Sequence, residues 1–166
     1  MKEILLPFSH YHLWANQLLL DTITALPEEK QMAEVPSSFH SLYQTVLHLW
    51  DAESIWWQRI KLQERITRPS EQKTYTMKEV KEGLLNQNRQ WNEWISNAQE
   101  HMLQHKFMYQ NSKRESFKQP VYQVLLHLFN HGTYHRGQLV NMLRQLGIEK
   151  IPATDFIVWT RNHALR

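Results

Sequence analysis

The stretch "PVYQVLLHLFNHGTYHRGQLVNMLRQLG", residues 120–147, begins with a proline and ends with a glycine, and it predicts a long helix. Proline suits the first turn of a helix and glycine the position just past its end. We therefore expect a helix from residue 120 to residue 145 or 146, stopped by Gly147. Residues four apart lie on one face of a helix, and this face carries three histidines, His127, His131 and His135.

Three earlier segments also predict long helices, at about residues 4–25, 39–62 and 76–98. Each carries apolar side chains at roughly helical period. Ser37 or Ser38 is the expected N-terminal cap of the second helix. Thr76 and Glu79 have the spacing of a capping box, which places the start of the third helix at Thr76.

Two shorter segments complete the predicted architecture. Residues 105–118 alternate loosely around a polar centre, which predicts a short irregular hairpin or an extended crossover. The apolar cluster at residues 156–159 predicts a short docked C-terminal segment. Four long helices with one long connection before the last favour an all-α four-helix bundle, as a single domain over residues 1–166. Bundles of this kind build metal and cofactor sites from inward-facing side chains.

Composition narrows the classes of function. The chain has no cysteine, which excludes disulfides, thiolate metal sites and a thiol nucleophile carried by the protein. No segment has the length of a signal-peptide core or of a membrane span, so we expect a cytoplasmic protein without membrane attachment. The formal charge is +3, but the basic residues are scattered among acidic ones. That pattern favours solvated helix faces over a nucleic-acid partner.

The second and fourth helices share a sequence pattern. "YQTVLHLWDAESIWW", starting at Tyr43, matches "YQVLLHLFNHGTYHR", starting at Tyr122, with His48 opposite His127. Convergence of two core-facing helices and an ancestral duplication both explain the match. In either case both helices should present a histidine at a similar depth in the bundle.

Two histidines four residues apart on a helix form half of a common metal site. His131 and His135 fit this pattern, and His48 is the best candidate for a third ligand from another helix. Three protein ligands leave one position open for water or substrate. The alternative is a fortuitous spacing, because the chain has ten histidines. Gly132 costs about 1 kcal/mol in helix propensity, which suggests close approach of a neighbouring helix or a ligand at this point.

Ligating histidines normally donate their second ring N–H to a nearby polar group. The candidates for this role are Asn16, Asp51, Glu53, Tyr134 and Gln138. For Asp51 and Glu53, a solvated charge near the middle of the helix is an equal alternative. Arg136 suits either an anionic substrate or a salt bridge between helices. The other histidines are expected to be exposed or hydrogen-bonded: His10, His12, His40, His101, His105 and His163.

Several of these stretches together resemble the DinB family of DinB/YfiT-like metalloenzymes. The resemblance spans essentially the whole chain and rests most specifically on "NHGTYHRGQ" followed by "LRQLG". It implies a four-helix bundle, often a homodimer, with one divalent metal, zinc or nickel. The implied ligands are His48, His131 and His135. His127 is then a neighbour about one turn, roughly 5.4 Å, along the helix, with a supporting or packing role.

The resemblance also suggests a reaction. Family members of known activity use thiol cofactors, as in mycothiol-dependent maleylpyruvate isomerase and the bacillithiol S-transferases. The implied function is transfer of a low-molecular-weight thiol, of the bacillithiol type, to a small electrophilic substrate. Two alternatives stay open: a metal-dependent hydrolase of a small substrate, and a non-enzymatic metal-binding protein induced by stress or DNA damage.

Overall fold

A computed structural model describes residues 1–111 and 113–163, apart from the side chain of residue 163. Four long helices dominate the described chain and confirm the predicted bundle. They are α1 (Lys2–Thr24), α3 (Leu42–Ile60), α4 (Met77–Asn97) and α6 (Val121–Gln145). Shorter elements connect them or follow them: α2 (Glu28–Met32), a 3₁₀ turn (Pro69–Glu71), α5 (Glu100–Gln104), β1 (Lys106–Gln110), β2 (Ser116–Pro120) and α7 (Phe156–His163).

The sequence signals at the helix ends predicted two helix boundaries correctly and one helix cap wrongly. Thr76 and Glu79 form the predicted capping box at the start of α4. Gly147 follows α6 with a φ of +77°, the left-handed conformation that glycine adopts without steric cost. The predicted cap of α3 was wrong: Ser41, not Ser37 or Ser38, accepts the backbone N–H of Gln44. The segment "SSFHS", residues 37–41, contains three serines. Because α3 begins only at Leu42, the cap is the last of them.

The bundle buries its apolar stripes in two clusters. α1 packs against α4 and α6, and α3 packs against the same two helices. One cluster centres on Leu19, Leu49 and Leu84, and the other on Trp91 and Phe129. A polar layer that contains Asn16, Glu53 and Asn88, all almost fully buried, also crosses the interior.

The connection before α6 is a two-stranded antiparallel hairpin, one of the two predicted forms. Its register pairs Tyr109 with Phe117, and the two rings stack at 5.8 Å. The predicted C-terminal segment is α7, whose Phe156 ring lies 5.1 Å from the ring of Tyr11 on α1. Within the described residues, none of the helices combines the length and the apolar character needed to cross a bilayer.

Candidate metal centre

The structure brings together His48 from α3 and His131 and His135 from α6. The Nε2 atom of His131 lies 3.2 Å from that of His48 and 3.0 Å from that of His135. Each of the three side chains offers one nitrogen, and these nitrogens all lie within 4.8 Å of one another. The two helices thus present three imidazole nitrogens to one small volume.

These separations fit the donor set of a metal ion. With metal–nitrogen bonds of about 2.1 Å, two nitrogens on one coordination sphere lie roughly 3.0 Å apart in octahedral geometry and roughly 3.4 Å apart in tetrahedral geometry. The observed 3.0 and 3.2 Å span the lower part of that interval. Ring nitrogens this close require a proton or a cation between their facing lone pairs. Imidazole nitrogen suits zinc, nickel, iron and copper.

The tautomer of His135 leaves its inner nitrogen free to bind. The Nδ1 atom of His135 lies 2.7 Å from Oε1 of Gln138, and only a ring N–H can donate to an amide oxygen. The amide of Gln138 is itself oriented, because its nitrogen donates to the hydroxyls of Ser38 and Tyr134. Nε2 of His135 is therefore unprotonated in the neutral ring and points at His131. A fixed outer N–H of this kind is the usual support of a ligating histidine.

Burial keeps the site histidines neutral. Burial, together with the neighbouring His135 and His48, lowers the pKa of His131 to about 3. The pKa values of His48 and His135 are lowered as well, mainly by burial. A neutral imidazole has the lone pair that a metal requires, so protons compete weakly for this site at neutral pH.

Two aromatic rings flank the three histidines. Phe39 stacks on His48 at a ring separation of 4.2 Å, and Tyr134 meets His135 edge-on at 5.1 Å. Tyr134 keeps 60% of its surface exposed, which places the site at the rim of the bundle and not in its centre. Asp51 lies one turn from His48, but both of its carboxylate oxygens accept hydrogen bonds from Ser70.

Asn16 and Glu53 are not directed at the three histidines. They belong to a closed ring of hydrogen bonds, the polar ring, to which all four long helices contribute. Its members are His12 and Asn16 of α1, Glu53 of α3, Asn88 of α4 and Arg136 of α6. Each member is at most 3% exposed. Glu53 was one candidate for supporting the ligands, with a solvated charge as the equal alternative, but it lies five residues from His48 and so about 140° around the helix.

The hydrogen bonds of the polar ring run in one direction, from a cation to an anion. Arg136 donates to Nδ1 of His12 at 3.1 Å, and Nε2–H of His12 donates to Glu53 at 2.9 Å. On the other side Arg136 donates to Asn16, Asn16 to Asn88, and Asn88 to Glu53. Arg136 thus joins α6 to α1, but through hydrogen bonds to His12 and Asn16; among the described residues it makes no direct ion pair, so the predicted inter-helix salt bridge is not observed. Its opposite charge to Glu53 leaves the ring neutral overall.

Gly132 explains how α1 reaches α6. A Cβ atom at this position would lie 2.3 Å from Cε1 of His12, which is far inside van der Waals contact. The predicted close approach of a neighbouring helix is confirmed, and the approaching group is the ring of His12. The polar ring and the three-histidine group therefore lie on different sides of the same two turns of α6.

His127 stands apart from the three ligating candidates. Its ring lies 5.9 Å from the ring of His131 and 5.7 Å from that of Trp56, and burial lowers its pKa. The remaining histidines follow the prediction where they are described. His12 is buried and hydrogen-bonded, whereas exposure characterises His10, His40, His101 and His105. The side chain of His163 lies outside the described residues.

Sequence reasoning missed Ser38, Phe39 and Trp56 as neighbours of the site. Ser38 was assigned to a helix cap, but its hydroxyl accepts from Gln138. Phe39 was assigned to a helix, but it precedes α3 and folds back onto His48. The only local sequence signal for this contact was the aromatic ring of Phe39 in "SSFHS", just before the helix that carries His48.

The fold and the three-histidine group define a mostly helical bundle protein with a potential metal site. The chain belongs to the DinB family, whose model matches residues 1–163. It is 27% identical over 165 residues to the protein named Protein DinB of Bacillus subtilis, with 94% of this chain and 93% of the relative covered. A crystal structure of a DinB-like protein from Bacillus cereus superposes with a TM-score of 0.65 at 18% identity, covering 88% of this chain and 94% of the other. The last similarity bears on the fold alone.

Proposed function

We propose that His48, His131 and His135 hold one divalent metal ion, zinc or nickel, in a cytoplasmic homodimer. The observation that supports this most strongly is the convergence of three imidazole nitrogens, with that of His131 at 3.2 Å from that of His48 and 3.0 Å from that of His135, and all three within 4.8 Å of one another. Gln138 fixes the tautomer of one of them. All three ligands come from two adjacent helices of a single domain, so a second copy of the chain is not needed to complete the donor set.

We further propose that the bound metal serves transfer of a low-molecular-weight thiol, of the bacillithiol type, to a small electrophile. A divalent ion with three neutral ligands supplies an undiminished positive charge, which lowers the pKa of a thiol or water in its open position. The chain itself has no cysteine, so a cosubstrate must bring the sulfur nucleophile. Tyr134, exposed beside His135, borders the side from which small molecules would enter.

The first test concerns the metal and uses three proteins. We expect natively purified protein to contain about one equivalent of zinc or nickel, and His48→Ala to lose it. His127→Ala is the matched control, because His127 is on the same helix as His131 and His135 but lies outside the three-histidine group. Metal analysis and thermal melting should show that His48→Ala loses metal and keeps its fold. Global unfolding of this variant would instead indicate a structural metal.

The second test concerns the reaction. Metal-loaded protein is mixed with a fluorogenic electrophile such as monochlorobimane, with and without bacillithiol or another small thiol. Turnover should require both metal and thiol, and His48→Ala should abolish it. Lack of turnover with every thiol would exclude the transferase, whereas thiol-independent hydrolysis of ester substrates would favour a metal-dependent hydrolase with the same donor set.

A further inference from the structure

We infer that Arg59 binds a carboxylate or phosphate group of the substrate, while the reactive end of the substrate lies at the three-histidine group. This inference rests on the proposed metal site and names the charge class of its substrate. Arg59 is on α3, eleven residues after His48, and its side chain turns back along the helix toward the site.

A continuous strip of rings joins the three-histidine group to Arg59. From His131 the ring of His127 is 5.9 Å away, and the ring of Trp56 lies 5.7 Å further on. The guanidinium carbon of Arg59 then lies 4.6 Å from the centre of the Trp56 ring. A half-buried alanine, Ala52, lies one turn from both His48 and Trp56.

Arg59 is held in place but keeps binding capacity. Its guanidinium carbon also lies 5.1 Å from the centre of the Tyr109 ring, and it donates one hydrogen bond of 2.7 Å to the carbonyl of Gln110. Arginine has five N–H donors in a planar fork that matches carboxylate and phosphate. Among the described residues, two rings and one carbonyl contact the guanidinium, and the hydrogen bond uses one of its five N–H donors.

Arg59 also lacks an anionic partner within residues 1–111 and 113–163. The ion pairs of these residues involve other groups, such as Arg68 with Glu71. Partial burial without a carboxylate disfavours the charged guanidinium and lowers its pKa. An anionic ligand would remove that penalty, so Arg59 is better suited to an anion than a fully solvated surface arginine.

The charges around the strip favour an anion as well. The three histidines are neutral ligands, so a bound divalent ion would keep its full charge. The two carboxylates of α3 are already engaged, Asp51 by Ser70 and Glu53 by the polar ring. The strip therefore has positive charge at both ends, which attracts an anionic substrate and orients it along the strip.

The test uses cobalt-loaded protein and a matched pair of metal-binding probes, suberic acid monohydroxamate and its methyl ester. Both bind through the hydroxamate, but only the first has a carboxylate at its far end. Visible absorbance of cobalt reports binding. We expect the carboxylate probe to bind at least tenfold more tightly than the ester, as one charge-assisted hydrogen bond would provide.

Two variants test whether Arg59 causes the preference for the carboxylate probe over the ester. Arg59→Gln should bind both probes equally and keep the ester affinity of the native protein. Lys61→Gln, the control, removes a cation that lies over Trp57 at the same end of α3, and it should keep the tenfold preference. Arg59→Lys should keep part of the preference, and it replaces Arg59→Gln in the comparison if that variant fails to fold.

The outcomes separate this inference from the proposed function. Equal affinity of the native protein for the two probes, or an unchanged preference in Arg59→Gln, would overturn the role of Arg59 and leave the metal site intact. Failure of the native protein to take up cobalt would overturn the metal site and the role of Arg59 together.

Discussion

His12 and His131 lie close together on adjoining helices, but their ring nitrogens have different partners. Both nitrogens of His12 are engaged inside the bundle, one by Glu53 and one by Arg136. His131 instead directs Nε2 toward two other histidines at the rim of the bundle. The first arrangement is closed and satisfied by protein groups, whereas the second leaves several acceptor nitrogens facing one point.

The difference shows that burial alone does not identify a ligating histidine. His12 is 1% exposed and more deeply buried than His48, yet its ring has no lone pair available for a metal. His48, His131 and His135 differ from His12 because their ring nitrogens face one another. A cation or a proton would be needed between these nitrogens. The polar ring stabilises the bundle, and the three-histidine group has the geometry of a binding site.

The largest effect is expected from breaking the polar ring. Arg136→Met removes the cation and leaves the buried Glu53 carboxylate without its compensating charge, so the free energy of unfolding should fall by about 3–5 kcal/mol. Urea denaturation measures this change. The double variant Glu53→Gln with Arg136→Met removes both charges and should recover part of the loss. A double variant no more stable than Arg136→Met would contradict the role of charge compensation.

Acidification should have the next largest effect, and it acts on both regions of metal-free protein. The pKa of His12 is lowered by burial and that of His131 is lowered to about 3, from about 6.5 in the unfolded chain. Between these values the unfolded chain binds more protons, so stability is full above pH 6.5 and falls as pH decreases toward 3.

A histidine that stays neutral in the folded protein contributes a slope of at most about 1.4 kcal/mol per pH unit, and the site histidines add less where solvent screens them. Urea midpoints of metal-free protein between pH 7.5 and pH 5 measure it, since most carboxylates stay ionised in that range. His10, which is exposed, supplies the control: His10→Ala should leave the slope unchanged. A midpoint that is constant or rises as pH falls would contradict the assignment.

The smallest effect on stability is expected at the three-histidine group. Gln138→Ala removes the acceptor that fixes the tautomer of His135, so metal affinity should fall about 10–100-fold. Half-buried on the rim, Gln138 should contribute less than about 0.5 kcal/mol to unfolding of metal-free protein. Competition with a chelator of known affinity measures the first change and thermal melting the second. Unchanged metal affinity would mean that the hydrogen bond from His135 to Gln138 does not influence metal binding.

The sequence predicted the long helices because their ends carry local chemical signals. Thr76 with Glu79 and Gly147 act through groups within a few residues, which a single chain reveals. His131 and His135 were identifiable for the same reason, since a four-residue spacing on a helix fixes a shared face. His48 was chosen because it lies in the middle of a helix between Leu47 and Leu49, and the family resemblance implied the same residue. Its role as a ligand stays a prediction.

The polar ring could not be predicted in the same way, because it depends on how four helices are rotated against one another. Asn88 drew no attention in a polar helix. A helical-wheel argument was nevertheless available, because Glu53 follows His48 by five residues and Arg136 follows His131 by five. Both pairs are about 140° apart on their helices, so these charged groups face away from the ligands and toward each other.

The polar ring also has a consequence for the kinetics of folding. Its hydrogen bonds join α1, α3, α4 and α6, so it closes only after the last of these helices has docked. A partly assembled bundle cannot close the ring. Some polar groups of the ring are then exposed to solvent or buried without a hydrogen-bond partner. Interactions that form after the transition state slow unfolding without speeding folding. We therefore expect the ring to slow unfolding of the completed bundle and so to extend the lifetime of the folded chain.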